Sequence, residues 1–152
     1  MNSTTVDRVP AHTSEDVNDR IQQEIDARVR KLASDKAGLE RRLQELDQEW
    51  DIERMLEANA SALAFTGAVL GASVDRRWIA LPIVVAAFLF QHAIQGWCPP
   101  LPILRRLGFR TAREINTERV ALKALRGDSH TGQAEASDVR TRADQALAAA
   151  RL

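Results

Sequence analysis

Five side chains able to do chemistry gather near one end of an apolar run: Gln91, His92, Gln95, Cys98 and, across a short turn, Asn59. Cys98 is the one cysteine of the chain. A thiol attacks, or binds a soft metal, as its thiolate, so it acts only where its pKa is pulled down. Arg105 and Arg106 follow closely and would lower it, whereas the C-terminal end of a preceding helix would raise it. Two readings stay open for Cys98: a structural thiol, or a reactive one that accepts persulfide sulfur or a soft metal. His92 stands six residues earlier and off the same helical face, so a His/Cys metal pair within one chain is not expected. A single cysteine also excludes a disulfide framework within the chain and a multi-cysteine zinc site. Neither a metal nor a cofactor is expected.

Asn59, Gln91, His92 and Gln95 are placed by the turn between them. If residue numbers mirror about 75–76, Asn59 faces His92, Gly67 lies near Val84 and Gly71 near Ala80. Polar side chains are costly in lipid unless paired, so these four, with Ser61, are expected to form an inter-helix hydrogen-bond cluster. The other reading is a proton or solute contact point centred on His92. Two spans cannot enclose a pore, so transport would need an oligomer.

The elements that carry these residues are two apolar spans. Ala58–Val74 and Trp78–Gly96 hold no Lys, Arg, Asp or Glu, although the chain as a whole is 28% charged with a formal net charge of zero. Trp78 and Trp97 bracket the second span; as a helix their separation is ~28 Å, close to the ~30 Å hydrocarbon core of a bilayer. Tryptophan favours both interfaces of a membrane. Asp75-Arg76-Arg77 makes the turn, and a loop this short forces the spans into an antiparallel hairpin. Gly67 and Gly71 form a GxxxG pair that lets backbones approach, either within the hairpin or between two chains. Pro82 falls in the first turns of the second helix, where its missing N–H does least harm.

Before the hairpin, Ile25, Val29, Leu32, Lys36, Leu39, Leu43, Leu46 and Trp50 are spaced alternately by four and three. That spacing is a heptad seam, and the mixed charges beside it suit a coiled coil. The pattern predicts one amphipathic helix over 17–56 that self-associates. The competing reading, a helix lying on the membrane, requires a strongly basic polar face. After the hairpin, Pro99, Pro100 and Pro102 turn the chain away, and Ile103–Phe109 is apolar and basic, suited to the headgroup level. Thr111 and Glu114 read as a capping box opening a helix Ala112–Leu125 that stops at Gly127, with Ile115, Val120, Leu122 and Leu125 as its apolar stripe. Residues 1–16 are polar and expected to be disordered, and 128–152 to be a flexible Ala-rich tail with weak helix near 143–150.

The expected organisation is therefore an all-α membrane protein. A coiled-coil helix over 17–56 precedes a transmembrane hairpin over 57–97, whose spans are 58–74 and 78–96. An interfacial segment and short helix follow over 98–127. The N-terminus lacks the basic-then-apolar pattern of a cleaved signal peptide, so the first span is expected to act as an uncleaved anchor. The turn carries Arg76 and Arg77, against Arg41, Arg42 and Arg54 before the hairpin and Arg105, Arg106, Arg110, Arg113 and Arg119 after it. The positive-inside rule then puts both termini in the cytoplasm.

No catalytic triad order, paired-carboxylate pocket, P-loop or dinucleotide fingerprint occurs. The cytoplasmic pieces are too short and polar for an enzyme core. Without net charge or a long basic run, nucleic acid is not an expected partner. The bilayer is, and so is a second copy of the chain; a protein partner is not identified.

Gln95-Gly96-Trp97-Cys98-Pro99-Pro100-Leu101 closes the second span, and Leu104-Arg105-Arg106-Leu107-Gly108 follows it. This ending resembles the YgaP-like transmembrane-domain family, small bacterial inner-membrane hairpins that finish in Gly-(aromatic)-Cys-Pro. The resemblance covers about Arg54 to Phe109. It implies the hairpin, the inner-membrane location and the position of Cys98. Some members are fused to a sulfur-handling rhodanese domain, for which this sequence has no room. The expected function is a non-enzymatic membrane-anchored oligomerising scaffold; the alternative is a thiol-dependent accessory using Cys98 for sulfur or soft-metal handling at the cytoplasmic face.

Overall fold

A computed structural model describes residues 8–127 and 139–151. Every regular element among them is helical: α1 Arg8–Ala11, α2 Glu15–Leu32, α3 Lys36–Gln48, α4 Ile52–Ser73, a 3-10 turn Arg76–Ile79, α5 Ala80–Gln95, α6 Leu101–Arg106, α7 Ala112–Arg126 and α8 Val139–Ala150. The chain divides into two compact units. A hairpin unit comprises Met1–Val17 with Trp50–Phe109, and a charged unit comprises Asn18–Glu49 with Arg110–Leu152.

In the hairpin unit, α4 and α5 pack along each other. Asp51 opens α4 by accepting a hydrogen bond from the Arg54 N–H at 2.7 Å. Asp75 opens the turn by accepting from the Arg77 N–H at 2.8 Å. The two glycines set the spacing. A Cβ on Gly71 would sit 2.6 Å from Ile79 Cγ1, and one on Gly67 would sit 2.6 Å from Pro82 Cδ and 3.0 Å from Leu81 Cβ. As the number falls along α4 it rises along α5, so the pair is antiparallel. The register differs by about two residues from simple mirroring, because the 3-10 turn winds more tightly than an α-helix. Gly67 is buried against the chain's own α5 and Gly71 against its 3-10 turn, so GxxxG is used inside the hairpin.

The far end of the hairpin is closed by residues expected to be disordered. Val9 of α1 is buried with Ile52, Leu56, Cys98 and Leu101, and Leu104 and Phe109 pack against that cluster. Arg8 donates from its guanidinium to the Ala93 carbonyl at 3.0 Å. A cation at a helix C-terminus is favourable there, because the last carbonyls lack partners within the helix. The expectation of disorder over 1–16 is therefore corrected for residues 8–16: composition reports polarity, but the buried Val9, the capping Arg8 and a hydrogen bond from Arg105 to Thr13 tie this segment down.

Gly96 ends α5 in the left-handed region, φ 73°, and a Cβ there would meet Arg8 Cβ at 2.4 Å. Gly96→Ala is expected to cost roughly 1–2 kcal/mol from the backbone alone and to displace α1. Limited trypsinolysis should then cut after Arg8 faster than in the parent chain, whereas an unchanged rate would mean α1 does not rest on this cap.

The charged unit contains most of α2, with α3, α7 and α8. The single helix expected over 17–56 is instead three, with breaks at 33–35 and 49–51. Asp35 is the cause of the first break: its carboxylate accepts from the Gly38 N–H at 2.9 Å and starts a new helix. The heptad residues Ile25, Val29, Leu39, Leu43 and Leu46 are buried inside the chain, whereas Lys36 and Trp50 are exposed and Leu32 is half-buried. The seam is thus used within the unit, beside the buried Ile115, Ala121 and Leu122 of α7 and Ala143, Ala146 and Leu147 of α8. The tail expected to be flexible is, over 139–150, a helix packed on α7; residues 128–138 lie outside the described range. The capping box stands as read: Thr111 accepts from the Glu114 N–H, the Glu114 carboxylate accepts from the Thr111 N–H, and Gly127 ends the helix in the left-handed region. The stripe needs one correction. Val120 is exposed, and Glu118 takes the place beside Ile115 and Leu122.

Candidate functional site

The end of the hairpin away from its turn holds a cavity of about 300 Å³. Leu56, Asn59, Ala60 and Leu63 of α4 line one wall, and Val85, Phe88, Leu89 and His92 of α5 another. Cys98, Pro100 and Leu104 close it. It is bounded in this way because Gly96 ends α5 and the prolines after Cys98 keep the helix from resuming, so that α6 lies beside α4. No Lys, Arg, Asp or Glu is among these residues, so the lining carries no fixed charge.

Of the expected polar cluster, Asn59 and His92 share this cavity. Their bonds differ from the expected inter-helix network. Asn59 donates to the Met55 carbonyl of its own helix at 3.0 Å, and Ser61 to that of Glu57 at 2.7 Å. Gln91 and Gln95 meet each other along α5 at 3.5 Å and do not line the cavity. Helical phase accounts for Gln91, which points about 100° around α5 from His92 and about 60° from Phe88. His92 Nδ1 is buried with no hydrogen-bond partner.

Cys98 is 4% exposed. Burial pushes its thiol up, and the Leu101 backbone offsets this only in part. Of the two arginines expected to help it, Arg105 is engaged elsewhere: it is buried, donating to Thr13 Oγ1 and to the Phe109 carbonyl, each at 3.2 Å. Cys98 should therefore react with N-ethylmaleimide roughly tenfold or more slowly in the folded chain at pH 7 than in denaturant. Equal rates would show an exposed, activated thiol.

A second arrangement, in the charged unit, escaped the sequence reading. The Glu118 carboxylate is fully buried. It accepts from Arg42 Nε at 2.9 Å and from Arg110, and lies 3.3 Å from Arg28 Nε. Arg110 also donates to both Glu49 oxygens at 2.7 Å, and Arg42 donates to Glu49 at 3.1 Å. Burial alone would raise the Glu118 pKa; the bonds and charges of Arg42, Arg110 and Arg28 outweigh it and hold the carboxyl below its usual range. The same contacts outweigh the burial of Arg42 and raise its pKa. The available signal was a carboxylate on an apolar stripe, at Ile115 plus three and Leu122 minus four. A lone buried carboxylate is untenable, so such a residue announces a cationic partner.

Among the described residues, no group of three or more His, Cys, Asp or Glu is placed to hold a metal ion. Two helical stretches, Lys36–Ser73 and Arg76–Gln95, contain a window long and apolar enough to cross a membrane. No family model, no curated protein and no solved structure matches this chain.

Proposed function

We propose that this chain is a non-enzymatic bacterial inner-membrane protein whose α4–α5 hairpin anchors a charged helical scaffold unit in the cytoplasm. One observation carries the reading: the apolar window within Arg76–Gln95 has none of its residues buried within the chain. Ile83 is 64% exposed, Phe90 69% and Ile94 59%, and on α4 Phe65 is 72% exposed. Monomeric soluble proteins rarely show water an apolar surface of this extent, whereas a bilayer covers it without cost. Supporting features agree. Ile103 and Leu107 are exposed around the short basic helix α6, as a headgroup-level segment requires. Arginines are more numerous on the flanks than in the turn, which favours cytoplasmic ends. The resemblance to the YgaP-like transmembrane-domain family points the same way.

The heptad residues are occupied inside the charged unit, so a homo-oligomer would need another surface. The thiol-dependent alternative draws no support from a buried cysteine with a raised pKa. Alkaline carbonate extraction of membranes from cells expressing the chain tests the anchor. Retention in the pellet is expected, with release when Ile83 and Phe90 are both replaced by Asp. Extraction of the parent chain into the supernatant would refute the anchor.

A further inference from the structure

We propose that residues 8–13 form a strap that lifts as one piece from the closed end of the hairpin, and that Cys98 meets aqueous reagents only when the strap is open. The segment is knit to itself. His12 Nδ1 donates to the Arg8 carbonyl and Thr13 Oγ1 to that of Val9, each at 2.8 Å. The His12 and Thr13 N–H groups donate to the Val9 and Pro10 carbonyls at 3.1 Å. These bonds move with the segment. A joint follows it, because α1 ends at Ala11 and α2 begins at Glu15.

The grip of the strap on the hairpin is local. Val9 is the one buried residue of α1 and sits in the cluster that holds Cys98. The bond from Arg8 to the Ala93 carbonyl is exposed, so water replaces it at modest net cost. A helix of four residues has no stability of its own, and a segment with few buried contacts opens at a lower free energy than the core. The hairpin does not lean on the strap. Gly67 meets Leu81 and Pro82, and Gly71 meets Ile79, all toward the turn. Lifting α1 therefore leaves α4 and α5 packed.

Two buried groups with chemistry lie under this segment. Cys98 is covered through Val9, and the fully buried Arg105 donates to Thr13 Oγ1. One motion takes Val9 from the thiol cluster and Thr13 from the guanidinium. A thiol reacts as its thiolate, which burial disfavours and water solvates. The closed strap is thus an autoinhibitory contact on the cysteine. The device lies within the hairpin unit and draws nothing from the membrane reading, so either can fail alone.

The test is the reaction of the purified full chain, in mild detergent, with dithiobis-nitrobenzoate. Cys98 also lines the apolar cavity, but a dianionic reagent is excluded from that uncharged route. Val9→Asp is expected to speed the reaction about tenfold or more, since one buried valine no longer holds the strap. Arg8→Ala is the decisive variant, because its bond is to Ala93 and not to the cysteine cluster. It should speed the reaction about threefold, with circular dichroism and the SDS unfolding midpoint of the hairpin unchanged. A rate equal to that of the parent chain in Arg8→Ala would overturn the proposal, since the strap would not move as one piece. A faster rate accompanied by a lowered SDS midpoint would overturn it too, because Cys98 would then be reached by opening of the whole hairpin.

Discussion

Glu118→Ala is expected to destabilise the charged unit by about 3 kcal/mol or more, the range seen when one partner of a buried ion pair is removed. Arg110, 4% exposed, would keep only Glu49, and Arg42 would lose its shortest charged bond. A surface pair supplies the contrast. Arg30 and Asp144 are each more than half exposed, and Arg30→Ala should cost no more than about 1 kcal/mol. The network also fixes a pH dependence. The folded carboxyl of Glu118 titrates below its unfolded value, so its contribution is complete above the ordinary glutamate pKa of about 4.3 and is lost as pH falls through the folded value. Urea unfolding of the unit at a series of pH values should show stability falling below about pH 4, with the slope reduced in Glu118→Gln. An acid slope identical in parent and variant would remove Glu118 from this role.

Gly67→Leu should open the hairpin. The new Cβ would fall 2.6 Å from Pro82 Cδ, an atom of a ring fixed to the backbone that cannot rotate aside. Gly71 meets a softer obstacle, the Ile79 side chain, although the Ile79 backbone nitrogen stands 3.2 Å away. The cost at Gly67 should reach the upper end of the ~1–3 kcal/mol typical of overpacking, and Gly71→Ala should cost less. Titration with SDS from mild-detergent micelles, followed by circular dichroism, measures both. This experiment also separates the two uses of GxxxG. Were the glycines a dimer contact, Gly67→Leu would change the oligomeric state and leave hairpin unfolding unaltered.

What could be read from the sequence was mostly local. Thr111 and Glu114 announce a helix start within four residues, and Gly127 its stop, and all three hold. The turn at Asp75 is equally local, set by a charged tripeptide between two apolar runs. Ile25, Val29, Leu39, Leu43 and Leu46 of the heptad seam are core residues, but of their own unit and not of a seam between chains, and the spacing rule passes over the helix break between them. Ser34-Asp35 carried a cap signal three residues before Gly38, and counting by sevens concealed it. Non-local partners left weaker traces. Val9 reaches the Cys98 cluster and Arg8 reaches Ala93 across most of the hairpin unit's sequence, which no periodicity encodes. In the candidate site, depth was legible, since Asn59 and His92 do share one cavity. Their bonding was not, because an asparagine side chain can donate to the backbone carbonyl one turn back on its own helix.

The anchor is tested most directly by two cysteines placed in a Cys98→Ser background: one in the turn, Arg76→Cys, and one before the hairpin, Glu57→Cys. Both positions are exposed, so access depends on the membrane alone. Intact bacterial spheroplasts expressing each chain would be treated with a membrane-impermeant maleimide before and after lysis. The account predicts labelling of the turn cysteine in intact spheroplasts, and of the Glu57→Cys position only after lysis. Protection of both until lysis, or labelling of both before it, would mean that the hairpin does not cross the bilayer.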